Sequence, residues 1–157
     1  MHPQVFNRVW LVRLVFALLV SGAAVTRAGP LEKPNDYVIH NDGGGIVGQY
    51  VAKYKALQEH GVHVVIDGWC ASSCTIALAL PGTCVTKRAM LGFHRAYYAN
   101  LFGYHVDDPT DTAILWLSYP PQVRKWIMAH GGLTSSILIM HNSDARKLLP
   151  NCEGDGL

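Results

Sequence analysis

Residues 62–75 read VHVVIDGWCASSCT, and this stretch decides the fold. It opens with an apolar, β-branched run, which predicts a strand buried on both faces of a sheet. Asp67 and Gly68 then mark a turn, and small residues follow over 70–80. The second half therefore predicts a helix that comes directly after the strand and ends at Pro81.

The segments on either side continue this alternation. Residues 37–40 are β-prone, and the glycine loop NDGGG at 41–45 follows them. Apolar residues at helical spacing over 47–57 then predict a helix that Gly61 ends. Two short strands are predicted within 83–94. Alternating strands and helices predict an α/β fold, in which helices pack against a parallel sheet.

The last third of the chain is predicted to be mainly helical. Residues 95–108 are rich in aromatic side chains and are interpreted as a loop. Two helices are predicted at 110–118 and 121–130. Thr134 is the predicted N-cap of a further helix over 135–140, because its hydroxyl can accept a hydrogen bond from the first turn.

Residues 1–28 have the pattern of a secretory signal peptide. Arg8 and Arg13 make its start basic, and a short apolar run follows. Small residues predict cleavage after Ala28, with Ala24 as the alternative position. The apolar run is shorter than the roughly 20 residues of a membrane span. Membrane attachment is therefore expected only if the leader is retained as an N-terminal anchor.

Without the leader, residues 29–157 form one predicted domain that is exported to the periplasm or secreted. The whole chain has a formal charge of +2, but residues 29–157 carry 10 basic and 11 acidic side chains. A nucleic-acid-binding domain needs a dense basic patch, so nucleic acid is not an expected partner. Half of the chain is hydrophobic and 15% is charged, which excludes a disordered chain.

The exported part contains four cysteines: Cys70, Cys74, Cys84 and Cys152. An oxidising compartment favours their pairing in disulfides. Cys70 and Cys74 are four positions apart and can bridge across one turn, which leaves Cys84 for Cys152. A Cys74–Cys84 bridge is the main alternative. The spacing lacks the two close ligand pairs of a zinc site, and no metal is expected.

Ser72 lies where the predicted strand ends and the predicted helix begins. A nucleophilic serine occupies this position in a strand-to-helix elbow. The backbone N–H of Ser73 would point at a developing oxyanion, and Gly44 and Gly45 would supply further donors. A serine needs a base within hydrogen-bond reach. His94 ends a later predicted strand, at the same edge of the sheet, and is the expected base.

An acid is expected to orient the imidazole of this histidine, as in a Ser-His-Asp triad. Asp144 is the favoured candidate, and Asp107, Asp108 and Asp111 are less favoured. Each residue type also has a structural interpretation, since serines cap helices and a lone histidine or aspartate often lies at the surface. Residue types alone therefore leave both interpretations open.

Three stretches together resemble the Clp protease/crotonase superfamily. They are NDGGGI at 41–46, DGWCASSCT at 67–75 and MLGFH at 90–94. The chain is most similar to the small exported bacterial proteins of that superfamily that resemble the Clp protease proteolytic subunit. Gly44 and Gly45 match the glycine pair of the family loop, although Asp42-Gly43 replaces its Ser-Pro. Ser72, His94 and Asp144 fall on the positions of the family triad.

The resemblance implies a ββα spiral, here N-terminally shortened, with a parallel sheet and flanking helices. It implies an exported serine hydrolase of the peptidase type that cleaves a peptide or another acyl substrate. A triad of Ser72, His94 and Asp144 would act with backbone donors at Gly44, Gly45 and Ser73, without a cofactor. Self-association into a homo-oligomer is also expected from the resemblance.

A catalytically inactive binding or assembly module on the same fold is the main alternative. It is motivated by a chain that is short for the family and by cysteines on both sides of Ser72. Acyl-CoA chemistry of the crotonase type is disfavoured because CoA is a cytoplasmic cofactor. A Ser/Lys pair would have to use Lys87, which lies in a predicted strand.

Overall fold

The computed structural model describes residues 36–152. The predicted signal peptide at 1–28, its cleavage positions and its use as an anchor lie outside these residues. The described elements are, in chain order, β1 (Tyr37–Asp42), α1 (Val47–Glu59), β2 (Val64–Ala71), a 3₁₀ helix (Ser72–Ala79), β3 (Cys84–Val85), β4 (Met90–Phe93), β5 (Tyr97–Ala99), β6 (His105–Asp107), α2 (Pro109–Ser118), α3 (Pro121–Ala129), β7 (Leu138–Met140) and α4 (Asn142–Leu148).

The main sheet is built around β2, which has strand neighbours on both edges. β1 pairs with it in parallel on one side, while β3 and then β4 pair with it in parallel on the other. α1 joins β1 to β2 as the predicted crossover. The apolar residues 64–66 are buried, as expected of a strand covered on both faces. The predicted α/β arrangement with a largely parallel sheet is therefore confirmed.

β2 continues through the turn predicted at Asp67 and Gly68. The backbone of His40 lies directly against the Cα of Gly68, where the register of β1 shifts between Ile39 and Asn41. A glycine lets the strand pass this close contact without a side-chain clash. The helix consequently begins at Ser72, two residues later than predicted, and it is a 3₁₀ helix.

The predicted loop over 95–108 is wrong, because it contains the antiparallel hairpin of β5 and β6. The side chain of Asn100 closes the hairpin by accepting hydrogen bonds from the N–H groups of Phe102 and Tyr104, each at 3.0 Å. β5 is exposed along its whole length. The hairpin therefore lacks the alternating buried face that reveals a strand in a sequence.

The predicted helix over 135–140 is also wrong. The hydroxyl of Thr134 accepts from the N–H of Ser136 at 3.1 Å, which forms a short local turn instead of a helix cap. The chain then forms β7, which pairs antiparallel with β4 and buries Met140. Pairing with the edge of β4 satisfies backbone groups that would otherwise lack partners, so tertiary context overrides the local cap signal.

Two disulfides join the four cysteines in the first of the two predicted arrangements. Cys70 and Cys74 are bridged with their Cα atoms 5.4 Å apart, and Cys84 and Cys152 with theirs 5.0 Å apart. Disulfides persist in oxidising compartments, so the bridges indicate an extracytoplasmic environment. In the part of the chain that the structure describes, no helix combines the length and the apolar character needed to cross a membrane.

Asp67 ties three segments of the sheet together. Its buried carboxylate accepts hydrogen bonds from the hydroxyl of Thr86 at 2.6 Å and from Arg88, and the Nδ1 atom of His40 lies 3.0 Å away. The hydrogen bond from Arg88 holds the pKa of Asp67 below its usual range, although burial acts in the opposite direction. The ionised carboxylate thus links β2 to β1 and to the segment between β3 and β4.

We expect Asp67→Asn to lower the free energy of unfolding by about 1–3 kcal/mol at pH 7, because the buried hydroxyl of Thr86 and the guanidinium of Arg88 lose their charged acceptor. A carboxyl whose pKa is lowered by folding stabilises the protein above the unfolded-state pKa of about 4 and loses this contribution as pH falls through the folded-state value. The difference between the two proteins should therefore shrink below pH 4. Urea unfolding at pH 7 and pH 3 measures it.

Glu59→Gln is the matched control, since Glu59 forms an exposed ion pair with Lys55 on α1. Its effect should stay below about 0.5 kcal/mol at either pH. An Asp67→Asn effect as small as that of the control would contradict the assigned role of Asp67.

Candidate active site

Ser72 lies at the turn from β2 into the 3₁₀ helix, with its side chain partly exposed. Its φ angle is +56°, and among residues 36–152 it is the only non-glycine residue with a positive φ. This left-handed conformation is costly for a residue with a Cβ and persists only where the surroundings impose it. Strand, left-handed serine and helix together form the predicted elbow geometry.

The glycine loop lies directly against this elbow. Gly44 has a φ of +84°, and a Cβ on it would lie 2.7 Å from both the carbonyl oxygen of Ala71 and the Cβ of Ser72. No side chain can occupy that space, so only glycine allows the two backbones to approach this closely. The structure therefore brings together two features that are 28 residues apart in sequence.

Ser73 locks the loop to the elbow through its buried side chain. Its hydroxyl accepts from the N–H of Gly45 at 2.7 Å and donates to the carbonyl oxygen of the same residue at 2.9 Å. The N–H of Gly44 donates to Oδ1 of Asp42 at 2.9 Å. Both predicted glycine donors are thus engaged within the protein. The N–H of Ser73 belongs to the first turn of the helix, where amides lack intrahelical partners.

His94 follows β4 and is partly buried. Its Nδ1 atom lies 2.6 Å from the carbonyl oxygen of Arg95. A carbonyl oxygen can only accept a hydrogen bond, so Nδ1 must carry the proton in this contact. In the neutral ring, Nε2 then carries the lone pair, which is the form that a general base needs.

The backbone that carries this carbonyl is held at four points. The N–H of Arg95 donates to the carbonyl of Thr134 at 2.8 Å, and the carbonyl of Arg95 accepts from His94. The N–H of Ala96 donates to the hydroxyl of Thr112 at 2.9 Å, and its carbonyl accepts from the N–H of Asp108 at 2.8 Å. Every backbone polar group of residues 95–96 is therefore hydrogen-bonded, which fixes the acceptor for the imidazole.

Ser72 and His94 line one cleft with a volume of about 480 Å³. The other lining residues come from the glycine loop and the start of α1, from the start of the hairpin, and from the start of α2: Gly43, Gly44, Gly45, Ile46, Val47, Ala96, Tyr97, Tyr98, Asp108 and Asp111. Among the described residues no hydrogen bond joins Ser72 to His94. Catalytic hydrogen bonds are often long in proteins without substrate.

Asp144 lies elsewhere, in the first turn of α4. Its carboxylate contacts Nε1 of Trp126 and Nζ of Lys147, each at 3.3 Å. It does not line the cleft that holds Ser72 and His94. The structure therefore does not bring the third triad residue to the other two, and its role as the orienting acid stays a prediction.

The acids that do line the cleft are Asp108 and Asp111. Oδ1 of Asp108 accepts from the N–H of Asp111 at 2.9 Å and caps α2. Burial, and then the charge of Asp108, raises the pKa of the Asp111 carboxyl. Asp107 points away into an ion pair with Arg95 at 2.7 Å. The cleft thus holds two carboxyl groups and no lysine or arginine among its lining residues.

Sequence reasoning missed two parts of this site. The partner of the imidazole is a backbone carbonyl, which every residue carries, so no residue type signals it. Thr112 supports that backbone from α2, 16 positions along the chain, and a threonine in a helical segment has no distinguishing pattern. Asp108 and Asp111 were among the less favoured candidate acids. Their position at the cleft depends on the hairpin of β5 and β6, which was not predicted.

No protein-family model matches the sequence, and no curated protein matches it. The chemical interpretation of the cleft therefore depends on its geometry and on the resemblance of the three sequence stretches.

We expect Gly44→Ala to destabilise the protein by at least about 2 kcal/mol, because the added methyl group has no space and the residue keeps a left-handed φ. Gly48→Ala is the matched control: Gly48 lies in α1 with open space around its Cα. That substitution should stabilise the protein by roughly 0.5–1 kcal/mol. Thermal unfolding of the two variants checks both signs, and equal effects would contradict the close packing at Gly44.

We expect Thr112→Val to disturb His94, because it removes the acceptor of the Ala96 N–H while keeping the side-chain shape. Long-range ¹H–¹⁵N NMR of the imidazole should show the Nδ1-protonated tautomer in the wild type and a mixture of tautomers in the variant. Thr112→Ser, which keeps the hydroxyl, should restore the wild-type spectrum. Identical ring spectra for all three proteins would show that Thr112 does not hold this backbone in place.

Proposed function

We propose that this protein is an exported serine hydrolase that cleaves acyl bonds, with Ser72 as the nucleophile and His94 as the general base. The observation that carries the proposal is the left-handed Ser72 at a strand-to-helix turn, in one cleft with a histidine whose Nδ1 donates to a fixed carbonyl. Residues held in such conformations cluster at functional sites, and the same cleft also contains a base.

In this mechanism the Oγ atom of Ser72 attacks the substrate carbonyl while Nε2 of His94 takes its proton. His94 then returns the proton to the leaving group, and the acyl group stays on Ser72. His94 then takes a proton from a water molecule, which attacks the acyl carbonyl. As the ester bond to Ser72 breaks, His94 returns this proton to Oγ and the acid product leaves. The imidazolium that forms between these steps is stabilised by the carbonyl of Arg95.

The tetrahedral intermediate needs N–H donors for its oxyanion. The N–H of Ser73 directly follows the nucleophile and is the first donor. The N–H of Gly45 is the second, once the hydroxyl of Ser73 rotates away from it. This rotation has a cost, because the hydroxyl also donates to the carbonyl of Gly45.

We also place the chain as a distant relative of the Clp protease/crotonase superfamily that functions in the periplasm or as a secreted protein. The support is the order of parts: parallel β1 and β2 joined by α1, a glycine loop packed on the Ser72 elbow, and His94 directly after β4. The ββα spiral and assembly into a homo-oligomer belong to this proposal.

The second candidate is a non-catalytic binding module that uses the same cleft. One observation favours it: the N–H groups of Gly44 and Gly45 are already hydrogen-bonded to Asp42 and Ser73. When these N–H groups are already hydrogen-bonded within the protein, the cleft can hold a ligand without polarising the ligand's carbonyl group.

A fluorophosphonate probe separates the two candidates. The oxidised wild-type protein should be labelled on Ser72, as mapped by mass spectrometry, and Ser72→Ala should abolish the labelling. His94→Gln should slow labelling at least about 100-fold, since general-base assistance contributes 10² to 10⁴ in rate. Asp144→Asn tests whether Asp144 orients His94: slowing comparable to that of His94→Gln would confirm this role, whereas a change of less than twofold, which the position of Asp144 outside the cleft favours, would exclude it.

Ser143→Ala is the control for probe specificity, since Ser143 is an exposed serine on α4. Wild-type protein that resists the probe while its disulfides are intact would favour the binding module. Equal labelling of the wild type and Ser72→Ala would show that the nucleophile is assigned to the wrong residue.

A further inference from the structure

A second cavity, with a volume of about 520 Å³, lies beside the candidate active site. Its walls come mainly from α2, with contributions from α3 and from the segment before β7: Pro109, Thr112, Ala113, Trp116, Met128 and Leu133, together with Arg95 and Asp107. This volume lies within the 300–1,000 Å³ range of sites for small molecules.

The polar side chains in this wall are largely engaged, although the buried Nε of Arg95 has no hydrogen-bond partner among the described residues. Nη1 of Arg95 pairs with the carboxylate of Asp107 at 2.7 Å. The hydroxyl of Thr112 accepts from the N–H of Ala96. Apart from the indole nitrogen of Trp116, the remaining side chains of the wall are apolar. A ligand in this cavity therefore gains mainly from burying its apolar surface and finds few groups to satisfy polar atoms of its own.

This cavity and the catalytic cleft are adjacent along residues 94–96 and along the first turn of α2. Arg95 lines the cavity and directly follows His94, which lines the cleft. Thr112 lines the cavity and is hydrogen-bonded to Ala96, which lines the cleft. The first turn of α2 contributes to both spaces. A group bound in the cavity consequently lies next to the segment that holds the imidazole.

We propose that this cavity binds the unbranched aliphatic chain of an acyl substrate. An aliphatic chain has no polar atoms to satisfy, whereas a peptide segment would bring backbone N–H and C=O groups that need partners. Met128 is 64% exposed at the rim, and its flexible thioether adapts to chains of different length. The substrate role depends on the proposed hydrolase activity, whereas binding of the chain does not.

Binding is tested on Ser72→Ala, which cannot turn the ligand over. The probe is 10-bromodecanoate below its micellar concentration, because bromine quenches tryptophan fluorescence at contact and Trp116 lines the cavity. We expect saturable quenching in Ser72→Ala, and Trp116→Phe should remove most of it. Quenching that does not saturate, or that is unchanged in Trp116→Phe, would overturn the proposal.

Two variants fill the space from different sides. Ala113→Phe on α2 and Met128→Trp on α3 should each weaken 10-bromodecanoate binding at least tenfold. Both positions are exposed, so the larger side chains do not disrupt the core. Ala56→Phe, at an exposed position on α1 outside the cavity, is the matched control and should change affinity less than twofold. Equal affinity in all variants would overturn the assignment.

A chain-length series connects the cavity to catalysis. The wild type should hydrolyse p-nitrophenyl octanoate with a kcat/KM at least tenfold above that for the acetate, and Ala113→Phe should lose this preference. Binding of 10-bromodecanoate without hydrolysis of either ester would support the cavity and overturn the proposed activity. Hydrolysis without chain preference or binding would support the activity and overturn the cavity as an acyl site.

Discussion

The candidate site depends on one close contact between two backbones, that of Gly44 with the Ala71–Ser72 turn. Because no Cβ intervenes, the glycine loop can lie on the elbow, where the hydroxyl of Ser73 binds both polar groups of Gly45. Because β1 and β2 are parallel neighbours, their carboxyl ends lie at the same edge of the sheet. His94, which follows β4, faces the cleft that the glycine loop and the Ser72 elbow line.

Two buried tyrosines form hydrogen bonds to the 3₁₀ helix that begins at Ser72. The hydroxyl of Tyr54 donates to the carbonyl of Cys74 at 2.9 Å, and that of Tyr119 lies 3.0 Å from the hydroxyl of Thr75. Burial raises the pKa of Tyr119 to about 12, so it stays neutral at physiological pH. Tyr54 lies in α1 and Tyr119 directly follows α2, so two separate segments of the core fix the position of the elbow.

The parts predicted from sequence are those that side-chain pattern encodes. The buried strand at 64–66, the crossover helix and the glycine loop have strong local signals, and so does the serine after the strand. The hairpin of β5 and β6 and the strand β7 have none, because one lacks a buried face and the other depends on the edge of β4. The hydrogen-bond partner of His94 could not be predicted for a related reason. It is a main-chain carbonyl that is positioned by contacts with residues far along the chain.

The two disulfides act on different scales although their chemistry is the same. The Cys84–Cys152 bridge closes a loop of 68 residues, and chain entropy gives it about 4 kcal/mol of stabilisation, against about 2 kcal/mol for the four-residue Cys70–Cys74 bridge. The longer bridge mainly restrains the unfolded chain. The shorter bridge spans the turn that contains Ser72, so it restrains the conformation of that turn only. The longer bridge thus acts mainly on the folding equilibrium, and the shorter one on the local geometry of the elbow.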